Sequence, residues 1–421
     1  MNSTVNPQDI PIAQSGSDAG QRPIDSVVNR RDVFAQYCLL IALFCVPIST
    51  SAMMIALLVA VGLVLFSSQW QAKWAFFKSR PAFWMPYILF AVILISTLHG
   101  VVPWSTRFMM AKKYHALLLI PFLAWLFQRD LIKQKALALF LIAMSGIWIL
   151  SYLLYYGGIE VIPTGRASIF HDHISIGTLS AFSIFVFLRL AYDAKQRGMR
   201  YGYLAMSLIG TWYMLFINSG RTAYIVFFVL MVMFAFQLWR WRGVMWGSIA
   251  AVGLACIAFF SSSVLHGVTV SALKDARQYQ EHHIVAPATE DCSASRRLVS
   301  IKASVDLLKQ HPLLGVGTGS FYEAAARLPW MTPDINTQPV SSEWLNISVQ
   351  VGGMGMILLL LLYIVQWRQS LKLRSPYNYF GMLLIATLVS EGIVGTPLQG
   401  TVDSHFYAIW AALCFAAEVT R

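Results

Sequence analysis

The residues most able to do chemistry are arginines at the edges of long apolar runs. Arg221 lies in Asn218-Ser219-Gly220-Arg221-Thr222, between two such runs. A guanidinium there is costly unless it faces a cavity or a partner, or snorkels to headgroups. Gly220 beside it permits close approach of another backbone or a ligand. Arg296 and Arg297 head the segment Leu298 to Leu308, whose apolar residues recur at helical spacing. Ser293 or Ser295 is expected to cap that helix, so that its N-terminal dipole adds to the arginine charge in attracting an anion. Guanidinium groups grip phosphate oxygens two at a time. Arg221 and Arg297 converging across a cavity would therefore suit a pyrophosphate.

Proton transfer calls for a group with a pKa near the working pH, usually histidine. His311 ends the arginine-headed helix and is the first candidate, with Glu343 second. The turn after it, Pro312-Leu313-Leu314-Gly315-Val316-Gly317-Thr318-Gly319, is rich in glycine but has neither a preceding strand nor the Lys-Ser/Thr of a nucleotide loop. His171 and His173 flank Asp172, and His282 and His283 lie further on, but no carboxylate cluster joins them, so no metal is expected. Glu391 and Asp403 bracket the last turn, with His405 close by, and either pairing with an arginine or catalysis would account for them. Trp330, Phe321 and Tyr322 could stack on sugar rings or simply pack.

These residues must be positioned by membrane helices. Of 421 residues, 57% are hydrophobic and 12% charged, about half the charge of a soluble domain. About twelve apolar runs between Tyr37 and Thr420 approach bilayer length, among them 111–127, 222–239, 243–263 and 343–366. Backbone polar groups need partners inside lipid, which predicts an all-α integral membrane protein. The net charge of +12 comes mostly from Lys and Arg in short loops, a topology signal rather than a nucleic-acid footprint. Their bias places both termini in the cytoplasm. The chain divides into a disordered tail at 1–33, nine helices over 34–263, an extracytoplasmic loop subdomain at 264–342 and three helices over 343–421. The five cysteines imply neither a disulfide framework nor a zinc site.

Several stretches resemble the O-antigen ligases, a family within a wider group of O-antigen polymerases and O-oligosaccharyltransferases. Ser219-Gly220-Arg221-Thr222-Ala223 is similar to the family's arginine at the start of a mid-chain crossing. Arg297, ahead of Pro312-Leu313-Leu314-Gly315-Val316-Gly317, resembles its second arginine. Gly352-Gly353-Met354-Gly355 follows Ser341-Ser342 after nine residues, where the family carries a histidine-led pair, so Ser341 stands in the place of the expected histidine. Glu391 matches an acidic position, and Arg166 resembles a further basic one.

The resemblance implies a glycosyltransferase of GT-C-like fold in the bacterial inner membrane, with its active site on the periplasmic face. It would move a glycan from undecaprenyl pyrophosphate to lipid A-core oligosaccharide, needing no cofactor and no metal, in contact with membrane lipids and not with nucleic acid. A polymerase or protein O-oligosaccharyltransferase would use a similar donor. A transporter would instead place ionisable residues within the apolar runs.

Overall fold

The computed structural model describes residues 30–157, 170–282, 293–331 and 340–419. Arg166, His283 and the polar stretch 1–29 lie outside them. The chain begins with α1 (Arg30–Cys45), α2 (Thr50–Leu65), α3 (Trp70–Lys78), α4 (Pro81–Ser96), α5 (Trp104–Lys112) and α6 (Ala116–Leu126). Its middle holds α7 (Asp130–Gly157), α8 (His173–Asp193), α9 (Arg197–Trp212) and α10 (Arg221–Ser261). Then come α11 (Ser263–His282), α12 (Ser293–Gln310) and the short α13 (Phe321–Ala326). The last helices are α14 (Glu343–Val351), α15 (Gly353–Ser370), α16 (Tyr377–Val394) and α17 (Thr401–Phe415). Among the described residues the extended backbone is limited to one isolated bridge, Leu373 to Val419. The protein is therefore all-helical and built for a membrane.

Among the described residues five helices are long and apolar enough to cross a bilayer: Pro81–His99, Asp130–Gly157, His173–Asp193, Arg221–Ser261 and Tyr377–Val394. The bent pair α2 and α3, turned by 110°, makes a sixth if counted as one span. One of the five, α10, holds two of the expected runs, and several of the others are shorter or broken. The stretches 222–239 and 243–263 are joined in the 41-residue α10, which reverses at Arg240 (φ 55, ψ −135). A Cβ at Gly243 would collide with the Ala235 carbonyl, and one at Gly247 would lie 2.7 Å from the Ala235 side chain. The two halves are thus a close antiparallel hairpin. The run 111–127 is interrupted between α5 and α6, where Lys113 to His115 form a turn.

The run 343–366 breaks at Gly352 (φ 77), a left-handed conformation that favours glycine. A Cβ there would strike the Leu313 carbonyl. The glycine-rich turn docks into this break: Gly353 N donates to Pro312 O at 2.8 Å, Val316 N to Val349 O at 2.8 Å, and Gly317 N to Gln350 O at 3.1 Å. That turn is thus a structural clasp between the end of α12 and the start of α15.

Helix α17 is buried from Val402 to Phe415 and α8 nearly so, which places both in the middle of the bundle. A smaller core joins Ala303 and Leu307 of α12, Phe321 and Ala325 of α13, and Val349 of α14. Helices α12 and α13 are therefore seated on α14 through this core. Phe321 is part of this core, and Trp330 packs against it, donating from Nε1 to Asp306 Oδ2 at 2.9 Å beneath the Lys302 ammonium.

Candidate functional site

Helix starts converge at one end of the bundle. The first turns of α8, α10, α12 and α17 meet the last turn of α16 around a cavity of 620 Å³. Its walls carry Arg297 from α12, Thr222 from α10, Asp172 and Ser175 at the start of α8, Glu391 from α16, Asp403 from α17, and Ser341. Convergence of this kind has a sequence cause: each apolar run here begins or ends with a short polar cluster, and packing the runs side by side brings the clusters together.

Arg297 is held by the position of α12. Asp275 on α11 accepts from Ala294 N at 2.8 Å and Ser295 N at 2.9 Å through Oδ2. The side chain of Ser293 lies outside the described residues, and a carboxylate from the neighbouring helix accepts from these first-turn amides, a contact the local sequence did not suggest. It also occupies the helix end that was expected to attract an anion, so anion affinity here falls to the guanidinium alone. Burial pulls the Arg297 guanidinium below its ordinary pKa, and the positive charge of Arg221 pulls it the same way. Among the described residues no carboxylate forms an ion pair with Arg297.

Arg221 opens α10 and donates through Nη2 to Ser271 Oγ on α11 at 3.2 Å. It does not line the cavity, but its charge reaches Arg297 and its neighbour Thr222 does line it. Two cations brought close with burial are a repulsive arrangement, which an anion between them would relieve. Arg296 points elsewhere: it is 8% exposed and absent from the cavity wall.

The cavity's carboxylates differ in how fully they are satisfied. Asp172 caps α8, its Oδ1 accepting from Ile174 N at 2.9 Å and Ser175 N at 3.0 Å. Asp403 accepts from Ser175 Oγ at 3.0 Å through Oδ2, while its Oδ1 is buried without a partner. Glu391 is 3% exposed, and among the described residues no donor reaches it. Thr222 Oγ1 is likewise buried and unpartnered. Buried polar atoms are nearly always hydrogen-bonded, so a group of open ones along one cavity marks a place where a ligand completes the bonding.

Glu343 is also fully buried but sits outside this cavity. It accepts from Tyr114 Oη at 3.2 Å and Leu398 N at 3.0 Å, while its own backbone N–H donates to Gly395 O at 2.8 Å. Tyr114 Oη in turn accepts from Asn346 Nδ2 at 3.0 Å and Gln399 Nε2 at 2.7 Å. The network fixes the turn between α16 and α17, whose Gly395, Thr396 and Gly400 form part of the cavity wall. Glu343 is accordingly placed to position the wall, not to face a substrate.

His311 follows α12 and is exposed. Some fourteen residues of helix, about 20 Å, separate it from Arg297, and it is not in the cavity wall. Its sequence neighbourhood suggested a shared loop, whereas the intervening helix carries it away. Ser341 does reach the cavity, so the position expected to hold a histidine is at the site, with a hydroxyl in its place. Among the cavity residues, Asp403, Asp172 and His171 were noted in the sequence but not assigned to the pyrophosphate site, and Thr222 and Ser175 were not singled out. Asp403 had a signal, a carboxylate at the outer end of an apolar run; Thr222 had only its adjacency to Arg221. Among the described residues no three histidine, cysteine or acidic side chains are grouped to hold a metal ion.

No curated protein matches the chain. Residues 204–360, which include Arg221, Arg297, Ser341, Glu343 and the Gly352 break, match the family model described as O-antigen ligase, and this match supports an O-antigen ligase family assignment with a ligase- or polymerase-type role in polysaccharide assembly.

Proposed function

We propose that the protein is a glycosyltransferase that moves a glycan from a polyprenyl pyrophosphate to an acceptor hydroxyl, with lipid A-core oligosaccharide as the acceptor. The observation that carries this reading is that Arg297, half-buried and with no ion pair among the described residues, shares one cavity at a helix-end surface with the open carboxylates Glu391 and Asp403. The donor in this reading is undecaprenyl pyrophosphate, in line with the family match, and the site is on the periplasmic face, a reading the charge bias of the loops supports.

The acceptor oxygen attacks the anomeric carbon of the donor sugar. As that bond forms, the bond from the carbon to the pyrophosphate oxygen breaks, and the polyprenyl pyrophosphate leaves with the electron pair. Arg297, assisted by the Arg221 charge behind it, stabilises the pyrophosphate as negative charge builds on it. A single preorganised donor of this kind is worth about 3–4 kcal/mol of barrier. The acceptor hydroxyl's proton goes to a carboxylate of the cavity. Glu391 is the base in this account, because no donor competes for its oxygens, and Asp403, held by Ser175 on one oxygen, orients the incoming hydroxyl with the other. Ser341 lines the acceptor side as a hydrogen-bonding group, since an unassisted hydroxyl cannot serve as a base at neutral pH.

The test is a transfer assay with purified protein, a lipid-linked glycan donor and either lipid A-core or a second lipid-linked glycan as acceptor. Wild type is expected to glycosylate lipid A-core, and Arg297→Ala and Glu391→Gln to lose that activity while retaining a wild-type unfolding profile. Extension of the lipid-linked glycan instead would identify a polymerase. Undiminished transfer by both variants would remove the cavity from the chemistry.

A further inference from the structure

At the other end of the bundle a second pocket has a different chemistry. It is 360 Å³ in volume and is walled by Arg80, Pro81, Val365, Arg368, Gln369 and Lys372, with Val419 at its edge. It lies at the level of the start of α16 at Tyr377, from which Glu391 is fourteen residues along the helix, about 21 Å. It therefore lies near the opposite membrane surface and is not part of the proposed transfer site.

The polar groups of this pocket are donors. Arg80 rests its guanidinium on the Phe76 ring at 5.6 Å, and Phe76 is fixed in turn against Phe83 and Trp125. Its Nη1 is buried with no hydrogen-bond partner. Glu418 lies within electrostatic reach of Arg80, but among the described residues neither Arg80 nor Arg368 forms an ion pair. Gln369 Oε1 is taken by Ala82 N at 3.1 Å, which leaves the amide nitrogen as a further donor. An anion carrying several acceptor oxygens is the ligand these groups would satisfy.

Independent observations fix the depth of the pocket. Helix α3, immediately before Arg80, is bent 110° from α2. It exposes Trp70 and Trp74, while Lys73 is buried with Nζ donating to the Val64 and Ser67 carbonyls. Trp74 packs edge-on to Trp84 at 5.5 Å, and Lys78 lies over Trp74 at 5.2 Å. Exposed tryptophans with lysines on a short turned helix mark the headgroup layer, where indole rings sit half in hydrocarbon and half in water. A basic pocket between helices at that depth meets the phosphates of lipids, with Pro81 and Val365 continuing as an apolar wall toward the acyl chains.

We propose that the pocket between Arg80, Arg368, Gln369 and Lys372 binds the phosphodiester headgroup of an anionic glycerophospholipid. Arg80 supplies the buried, ring-backed contact and Arg368 the outer one. The bound lipid would anchor the start of α4 to the end of α15 in a defined leaflet.

The experiment uses the full-length protein purified in detergent, equilibrated with phosphatidylglycerol or with phosphatidylcholine, with retained lipid counted by native mass spectrometry. Wild type is expected to retain phosphatidylglycerol in preference to phosphatidylcholine. Each of Arg80→Gln and Arg368→Gln should lower phosphatidylglycerol retention about five-fold, the effect of removing one cation near a headgroup. If Arg80→Gln does not fold, the exposed Arg368 decides the question alone. Equal retention by wild type and Arg368→Gln, or equal retention of the two lipids by wild type, would overturn the proposal. Displacement of phosphatidylglycerol by millimolar inorganic phosphate would also overturn it, by showing that the site takes free phosphate rather than a lipid.

Discussion

Two buried acidic clusters lie side by side around the turn from Gly392 to Gly400, and they are wired in opposite ways. Glu343 has a phenol on one oxygen and an amide N–H on the other, and its phenol partner is held by two further side chains. Glu391 has no donor among the described residues, and Asp403 has one open oxygen. Both clusters are buried, so burial alone says nothing about role. A saturated carboxyl fixes backbone, whereas an unsaturated one beside a cavity and a guanidinium is available to a substrate.

Substitutions should separate the two. Glu391→Gln is expected to show the largest effect on rate, about 10²–10⁴-fold, the range for loss of a general base, read as initial transfer rate at equal protein level. Arg297→Ala should cost about 10²–10³-fold in the same assay, with Arg297→Lys in between because an ammonium cannot form the fork. Glu343→Ala should act on stability instead. It leaves the Leu398 N–H unpaired in the interior, a loss of about 1–3 kcal/mol that lowers the thermal midpoint, with the rate per folded molecule far less affected. Gly352→Ala places a side chain at φ 77 against the Leu313 carbonyl, which should destabilise by about 1–3 kcal/mol in the same melt. The smallest effect is expected from Asp275→Ala, which removes the cap of α12 for about 1 kcal/mol and loosens Arg297, raising the KM for donor more than it lowers kcat. A large rate loss from Glu343→Ala without destabilisation would erase the contrast between the clusters.

Much of this was legible locally. Apolar runs of bilayer length gave the all-helical class, and the polar clusters at their ends gave Arg221, Arg297 and Glu391 as residues to watch. What was not legible depends on partners far apart in the chain. Tyr114 and Gln399 are separated by 285 residues, and neither advertises the other. Asp275 caps α12 across a gap between helices, so a local serine was the natural expectation. His311 was misplaced for the opposite reason: proximity in sequence suggested proximity in space, but a helix rises about 1.5 Å per residue and carries its two ends apart. The boundary at Arg240 was legible as the gap between the runs 222–239 and 243–263, whereas the break at Gly352 inside 343–366 was not, because backbone geometry alone defines it.

The central claim is that Arg297, backed by Arg221, holds a pyrophosphate. Equilibrium binding of polyprenyl pyrophosphate and polyprenyl monophosphate to the purified protein tests it directly. Wild type should prefer the pyrophosphate, and Arg297→Lys should lose most of that preference, about ten-fold in Kd or about 1.4 kcal/mol. An unchanged preference in Arg297→Lys and Arg297→Ala would contradict the account.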